Sequence, residues 1–161
     1  MNLGKIIRNN QTFNKIDLYI TETFDKYGLI LLRYSIGIVF IWFGALKLVG
    51  RSPAEQLVKD TIVFIPPDIF LPILAIWEMT IGVTLMIQKL NRVAIFLLFL
   101  QMPGTMLPLI LLPEVCFQTF PLILTLEGQY IIKNLIIISG GIVVGSKVRT
   151  EESEQQNSKL I

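Results

Sequence analysis

The residue best suited to chemistry in this sequence is Glu78, a carboxylate inside the apolar run LPILAIWEMTIGVTLMI. A charge in hydrocarbon is costly, so a carboxyl group there is protonated, paired with a cation or in contact with a water-filled cavity. Its short stem cannot reach the headgroup layer from a depth of about 13 Å. When burial holds it neutral, such an acid can donate a hydrogen bond or transfer a proton.

Three more polar residues occupy comparable positions in other apolar runs, namely Arg33, Gln101 and Ser139. Gln101 and Glu78 each lie about nine residues from the same end of antiparallel segments, which predicts a common depth, and Ser139 falls slightly below them. We expect the four residues to form one candidate buried polar site. It is either functional, as ionisable residues in membranes commonly are, or a structural set of interhelical hydrogen bonds contributing about 1 kcal/mol each.

The run RYSIGIVFIWFGALKL carries a cation near each end. Arg33, Gly37, Phe40, Gly44 and Lys47 follow one another at steps of three or four residues and therefore share one helix face. Lys47 lies close to the outer end of this run, where its long stem lets the ammonium reach the headgroups, and we interpret it as a membrane-edge anchor. Arg33 either reaches the opposite headgroups or, as we favour, provides the counter-charge to Glu78.

The apolar segments that position these residues dominate the chain, which is 53% hydrophobic and 16% charged, with a mean hydropathy of +0.65. Crossing the hydrocarbon of a bilayer takes about 20 apolar residues. Peptide groups in lipid must be paired within the segment, and the period-2 alternation of a β-barrel is absent, so helices are predicted. We predict an all-α, integral membrane four-helix bundle with spans at residues 28–49, 69–87, 93–112 and 129–146.

The segments outside the spans are polar. The first 27 residues have no unbroken apolar core and no small-residue cleavage site, which argues against a cleaved signal peptide. Apolar residues recur there at steps of three or four, which predicts an amphipathic helix on the membrane surface, with a soluble tail as the alternative. These residues are Phe13, Ile16, Ile20, Phe24 and Tyr27. The tail, residues 147–161, is polar and lacks aromatic residues, so it is predicted to be disordered.

The distribution of Lys and Arg predicts the orientation. Apart from Arg33, which lies inside the first span, nine of the Lys and Arg residues fall on the side of the two termini and four on the other side. Because cytoplasmic flanks are enriched in Lys and Arg, both termini are predicted to be cytoplasmic. The polar residues expected at the opposite, outer face are Lys47, Lys133, Asn134 and Glu127.

Two compositional features narrow the chemistry. The chain has no histidine, so haem and metal cofactors are not expected. Its one cysteine, Cys116, cannot run an intramolecular dithiol relay, and we interpret it as structural unless a partner thiol or an oxidant is its target.

Small residues and prolines predict how the spans pack. Gly37 and Gly44 lie on the Arg33 face, and Ala75 and Gly82 flank Glu78, so these positions permit close helix contact. Gly141 and Gly145 have the same spacing and are compatible with a monomer or with a dimer packed through them. The third span contains Pro103 and Pro108 and is predicted to be kinked.

The chain resembles the DoxX-like superfamily of small four-span bacterial membrane proteins, most closely its YkgB branch, which includes the reactive chlorine resistance membrane protein. The resemblance covers about residues 31–145 and rests on RYSIGIVFIWFGALKL followed by SPAEQLV, on WEMTIGVTLMI and on LEGQYIIKNLIIISGGIVV. The positions matching the branch are Arg33, Tyr34, Trp42, Gly44 and Lys47, then Glu78 and Gly82, then Lys133, Asn134 and Leu135. The resemblance implies a bacterial inner-membrane protein tied to oxidant resistance or, in more distant relatives, to quinone-linked sulfur oxidation. It supplies no catalytic residues.

Three functions remain open at this point. The first is an accessory membrane protein that serves a partner oxidoreductase and has no catalytic activity of its own. The second is a quinone-interacting redox subunit, in which Arg33, Glu78 and Trp42 would line the quinone pocket. The third is a small transporter with Glu78 as a proton-coupled site. In each case the lipid bilayer is a partner, an oxidoreductase or a second copy of the chain is left open as another, and nucleic acid is not expected.

Overall fold

The computed structural model describes residues 11–62 and 64–157, with side chains for residues 12–62 and 64–148. The chain divides into two compact units, Met1–Leu32 and Arg33–Ile161. The described helices, in chain order, are α1 Gln11–Leu48, α2 Glu55–Thr61, α3 Pro67–Met86, α4 Asn91–Met106, α5 Pro108–Leu111, α6 Pro113–Cys116, α7 Leu126–Ile132 and α8 Asn134–Asn157. A short 3₁₀ helix, Gln88–Leu90, joins α3 to α4, and two short strands, β1 Phe117–Thr119 and β2 Ile123–Leu124, lie between α6 and α7.

Four of the described helical segments are long and apolar enough to cross a bilayer, and they correspond to the four spans predicted from the sequence. Their bounds are Thr12–Leu48, Pro67–Met86, Gln88–Leu111 and Leu126–Val148. We call the end of the bundle where α1 ends and α3 begins the loop end, and the end at Gln88–Leu90 the turn end. The helical part of the predicted architecture is therefore confirmed.

The second unit buries one face of its helices and leaves large apolar surfaces on the outside. The buried face of α1 carries Arg33, Ile36, Gly37, Phe40 and Gly44. Large apolar side chains cover the opposite faces and are exposed, for example Ile38, Trp42, Ile73, Phe96 and Ile136. Apolar surface on this scale is not left bare in water.

The described residues outside the predicted spans at both ends of the chain are helical. The N-terminal residues from Gln11 onward are helical and continue without a break into the first span, and every residue of the predicted apolar stripe from Phe13 to Tyr27 is exposed. Residues 1–10 lie outside the described part. The tail predicted to be disordered is helical as far as Asn157, and residues 158–161 are not described. Glu, Gln, Lys and Arg favour helix, and elongating α8 needs no new nucleus, which explains the difference.

The third and fourth spans are interrupted near the loop end. Helix α4 contains Pro103 and ends at Met106, and α5 begins at Pro108 after a single intervening residue. This interruption lies where the two prolines predicted a kink. The fourth span has a corresponding joint at Lys133, between α7 and α8.

The segment between α5 and α7 is a small folded motif that lies between the third and fourth predicted spans. β1 and β2 pair as an antiparallel hairpin whose turn contains the cis peptide bond Phe120–Pro121. Thr125 caps α7 by accepting a hydrogen bond from Gly128 N at 3.1 Å, and its hydroxyl donates to the Val115 carbonyl at 2.6 Å. The hairpin tip is apolar and bare, with Leu122 86% exposed.

Helices α1 and α3 approach closely through small residues. A Cβ atom added at Gly82 would lie 2.5 Å from the Gly37 carbonyl oxygen and 2.6 Å from Ile41 Cγ1, and one added at Gly44 would lie 2.7 Å from the Ala75 carbonyl oxygen. Gly141 instead faces Leu98 of α4, so this glycine is used for packing within the chain.

Replacing Gly82 by Ala is expected to destabilise the bundle by about 1–3 kcal/mol, because the added methyl group meets backbone that cannot yield. Gly141→Ala is the matched control and is expected to change stability by less than about 0.5 kcal/mol, since its methyl group would have only ordinary contacts, at 3.4 Å from Leu98 Cδ2 and beyond. The measurement is unfolding of each purified variant in mixed micelles. Equal losses in both variants would contradict a close contact specific to α1 and α3.

Candidate functional site

The candidate site is a buried polar cluster formed by Lys47, Glu78 and Gln101, one residue from each of α1, α3 and α4. Lys47 Nζ lies 2.6 Å from Glu78 Oε2, and Gln101 Nε2 donates to Glu78 Oε1 at 3.0 Å. The side chains of Lys47 and Glu78 are only 6% and 10% exposed. Both carboxylate oxygens of Glu78 therefore have partners within the chain, as an ion pair removed from water requires.

The packing of α1 on α3 determines which cation reaches Glu78. Gly44 faces Ala75, and the two helices run in opposite directions. Lys47 comes three residues after Gly44, toward the loop end, and Glu78 comes three residues after Ala75, toward the turn end. The Cα atoms of Lys47 and Glu78 are therefore about 9 Å apart along the helix axes. Side chains on a helix lean toward its N-terminus, so these two lean toward each other and close the gap.

The predicted pairing of Arg33 with Glu78 is wrong for the same reason. Arg33 lies 11 residues before Gly44, which places it about 12 Å from Glu78 along the bundle axis, on the turn-end side. Its side chain leans further toward the turn end and therefore away from the carboxylate. Lys47, predicted to be a membrane-edge anchor at the outer face, turns inward and provides the counter-charge.

Arg33 belongs to a second polar contact at the turn end. With the Asn91 amide oriented so that its oxygen faces α1, Arg33 Nη1 donates to this oxygen at 3.1 Å and the Asn91 amide nitrogen donates to the Leu85 carbonyl at 3.2 Å. Arg33 and Asn91 are both buried, and the guanidinium also lies 5.6 Å from the centre of the Tyr34 ring. Asn91 was not among the predicted site residues. The signal that could have identified it is a polar residue at the first position of α4, directly after the turn.

The remaining predicted site residues are not joined to the cluster. Ser139 is exposed, and its hydroxyl donates to the Leu135 carbonyl of its own helix. Trp42 is 63% exposed and faces away from the buried face of α1. Three buried atoms have no hydrogen-bond partner in the described residues, namely Gln101 Oε1, Trp77 Nε1 and Arg33 Nε. An acceptor on α4 and donors on α3 and α1 therefore remain unused.

The other residues predicted for the outer face lie at the loop end but form no common network among the described residues. Glu127 is exposed in the first turn of α7. Lys133 Nζ lies 5.8 Å from the centre of the Tyr130 ring, and Asn134 is the first residue of α8. The described ion pair in this region joins Lys59 to Glu55 at 2.8 Å on α2, and hydrogen bonding to Glu55 raises the pKa of Lys59.

Cys116 is completely buried at the end of α6, where its carbonyl accepts a hydrogen bond from Thr125 N at 3.0 Å. Gly128 packs so tightly against this carbonyl that any Cβ atom there would clash with it. Burial, followed by the negative charges of Glu127 and Glu114, raises the pKa of the Cys116 thiol above its ordinary value of 9.0. The thiol is therefore held in its unreactive protonated form.

The described residues contain no group of three or more His, Cys, Asp or Glu side chains arranged to hold a metal ion. The polar cluster consists of one carboxylate, one ammonium and one amide. Within the chain, such a set can fix helix positions or bind a polar ligand, and its two ionisable members are Glu78 and Lys47.

A double-mutant cycle tests which cation pairs with Glu78. Glu78→Gln alone is expected to cost about 3–5 kcal/mol of stability, because it leaves the Lys47 ammonium buried and unpaired. Combining it with Lys47→Met should recover much of this loss. Arg33→Met is the control cation, and its effect should add to that of Glu78→Gln within about 0.5 kcal/mol. Coupling of Glu78 to Arg33 instead of Lys47, measured by unfolding in mixed micelles, would contradict the observed pairing.

The Cys116 thiol is expected to react with iodoacetamide more slowly than a small free thiol at pH 8, because thiolate is the reactive form. Glu127→Gln removes a negative charge that raises the pKa, so it should lower the pKa and speed alkylation, whereas Glu55→Gln on α2 should leave the rate unchanged. The folded thiol keeps its proton to higher pH than the unfolded one, so this group's contribution to stability falls as pH rises above about 9. A rate that is independent of Glu127 would contradict the assigned charge effect.

No protein-family model, no curated protein and no solved structure matches this chain.

Proposed function

We propose that this multi-pass membrane protein is an accessory component of the DoxX-like, YkgB type in a bacterial plasma membrane, with both termini in the cytoplasm. In this role it supports resistance to reactive chlorine, or a membrane redox reaction, by serving a partner oxidoreductase, and it carries out no chemistry itself.

One observation carries the accessory role. The acid that lies deepest in the predicted spans has both carboxylate oxygens engaged by Lys47 and Gln101. An acid that binds a substrate or carries protons needs an oxygen that can exchange partners. An acid that joins three helices needs both oxygens bonded to neighbouring helices, as those of Glu78 are. The oxidant-resistance part of the proposal is supported by the resemblance of the three sequence stretches alone.

The bare surfaces are consistent with an accessory protein. Trp42 and Phe43 on α1 are exposed in a single chain, as are Phe120 and Leu122 in the hairpin. Lipid can cover the first pair, and a protein partner can cover either pair.

A quinone-interacting subunit is the second candidate, because of Gln101 Oε1 and Trp77 Nε1. These buried atoms offer an acceptor and a donor without partners, and a quinone carbonyl accepts hydrogen bonds while a quinol hydroxyl donates them. The pocket expected from the sequence is not formed as predicted, because Trp42 points outward. Arg33 donates to Asn91 through Nη1, and its buried Nε has no partner among the described residues.

The decisive variant replaces both partners of the ion pair, Lys47→Met with Glu78→Met. Exchanging a buried pair for apolar residues of similar volume commonly preserves stability, so the bundle should fold without its charges. A strain that lacks the gene is expected to survive hypochlorous acid less well than its parent, and the double variant should restore survival as fully as the wild-type chain. Glu78→Met alone, which strands the Lys47 charge, should lower the amount of protein in the membrane.

Two outcomes would contradict the proposal. If the double variant accumulates at the wild-type level but fails to restore survival, the charges act in chemistry, and the quinone-interacting candidate is favoured. If the strain without the gene survives as well as its parent, the role in chlorine resistance is wrong.

A further inference from the structure

An open groove of about 380 Å³ lies between α4 and α8 at the turn end, away from the polar cluster and independent of the proposed function. We call it the Arg92 groove, and its lining residues are Arg92, Ile95, Phe96, Gly145 and Val148. Four of these five present apolar surface or no side chain, and the fifth is a guanidinium.

The groove lies where the hydrocarbon of a bilayer would give way to headgroups. Val148 lies between Lys147 and Arg149 in the sequence, and Arg92 is the fifth residue of the third candidate span. Ile95 and Phe96 follow one turn further along α4, toward the middle of that span. A ligand in this groove therefore contacts a cation at the boundary and apolar side chains below it.

Gly145 leaves the space that forms the groove. A Cβ atom at this position would have only ordinary contacts, 3.5 Å from Ile95 Cδ1 and beyond. The missing side chain thus opens a channel along α8 that a flexible chain of methylene groups can fill, and a larger residue would close it.

Most of the fixed charges close to the groove are positive. Residues 79–113 and 128–150 contain no Asp or Glu, whereas Lys89 and Lys147 lie at the same end as Arg92. The N-terminus of α4 also lacks a side-chain cap, so its positive dipole end adds to the field. The nearest acids along α8 are Glu151 and Glu152, beyond Val148, and a guanidinium with five N–H donors can hold a phosphate beside another contact.

We propose that the Arg92 groove binds one anionic phospholipid, with its phosphate on the Arg92 guanidinium and one acyl chain along Ile95, Phe96 and Val148. Basic pockets between transmembrane helices commonly hold anionic headgroups, and the planar guanidinium suits a phosphate. The net positive charge of this end selects an anionic over a zwitterionic headgroup.

The test is lipid titration of the purified full-length protein followed by native mass spectrometry, with phosphatidylglycerol and phosphatidylcholine of the same acyl chains. The wild-type chain should retain one phosphatidylglycerol in preference to phosphatidylcholine. Arg92→Gln should weaken phosphatidylglycerol binding about fivefold, as expected for one cation near an anionic headgroup. Gly145→Leu should weaken binding of both lipids by filling the channel, and excess inorganic phosphate should not displace the lipid.

Two matched controls keep the test specific. Lys89→Gln removes an equal charge three residues before Arg92, from a position that does not line the groove. This variant should change lipid binding by less than about twofold. Gly28→Leu adds the same side chain where a Cβ atom meets nothing within 4 Å, and it should have no effect. If Arg92→Gln does not fold, Arg92→Lys, which keeps the charge and removes the planar guanidinium, should weaken phosphatidylglycerol binding by a smaller factor, and Gly145→Leu still tests the groove.

Three outcomes would overturn the proposal. Equal losses in Arg92→Gln and Lys89→Gln would show diffuse surface attraction without a groove. Equal affinity for the two lipids would remove the anionic preference, and displacement by inorganic phosphate would show a phosphate site without a lipid.

Discussion

The structure depends on one constraint, which is that a charge removed from water needs its partners within reach. Glu78 satisfies this constraint with Lys47 on α1 and Gln101 on α4. Each partner comes from a different helix, so the three helices cannot separate without leaving a charge unpaired in hydrocarbon. Because lipid chains are as apolar as the helix faces, burial of leucine and isoleucine alone gives little preference for one helix arrangement over another.

Close backbone contact makes the ion pair possible. Gly37 and Gly82 meet, as do Gly44 and Ala75, and any larger residue would push α1 away from α3. At this separation the antiparallel helices lean Lys47 and Glu78 toward each other, and they lean Arg33 away. The glycines and the ion pair therefore act together. The glycines allow α1 and α3 to approach closely, and the ion pair fixes the position of one helix along the axis of the other.

Much of the architecture could be predicted from the sequence, because a bilayer permits few solutions. Length and hydropathy identify four spans, and the spacing of Arg33, Gly37, Phe40, Gly44 and Lys47 identifies the buried face of α1. The partner of Glu78 was predicted wrongly, because depth alone was compared and the direction in which side chains lean was not. The hairpin and the α6–α7 motif could not be predicted, since they depend on contacts such as Thr125 with Val115 that no periodicity encodes.

The two cations of α1 each bind a polar residue of another helix, and together these contacts fix the position of α1. Arg33 and Lys47 are 14 residues apart, close to four helical turns, so they share a face while contacting the bundle at two different depths. Arg33 is joined to the start of α4 through Asn91, and Lys47 is joined to the middle of α3 through Glu78. Sliding α1 by one turn would break both contacts and would bring Phe40 or Ile41 against the space that only Gly37 leaves at Gly82. The polar contacts of Arg33 and Lys47 and the close packing at Gly37 thus favour the same position of α1 along α3. The two cations therefore have a structural role in this apolar chain, whether or not the protein catalyses a reaction.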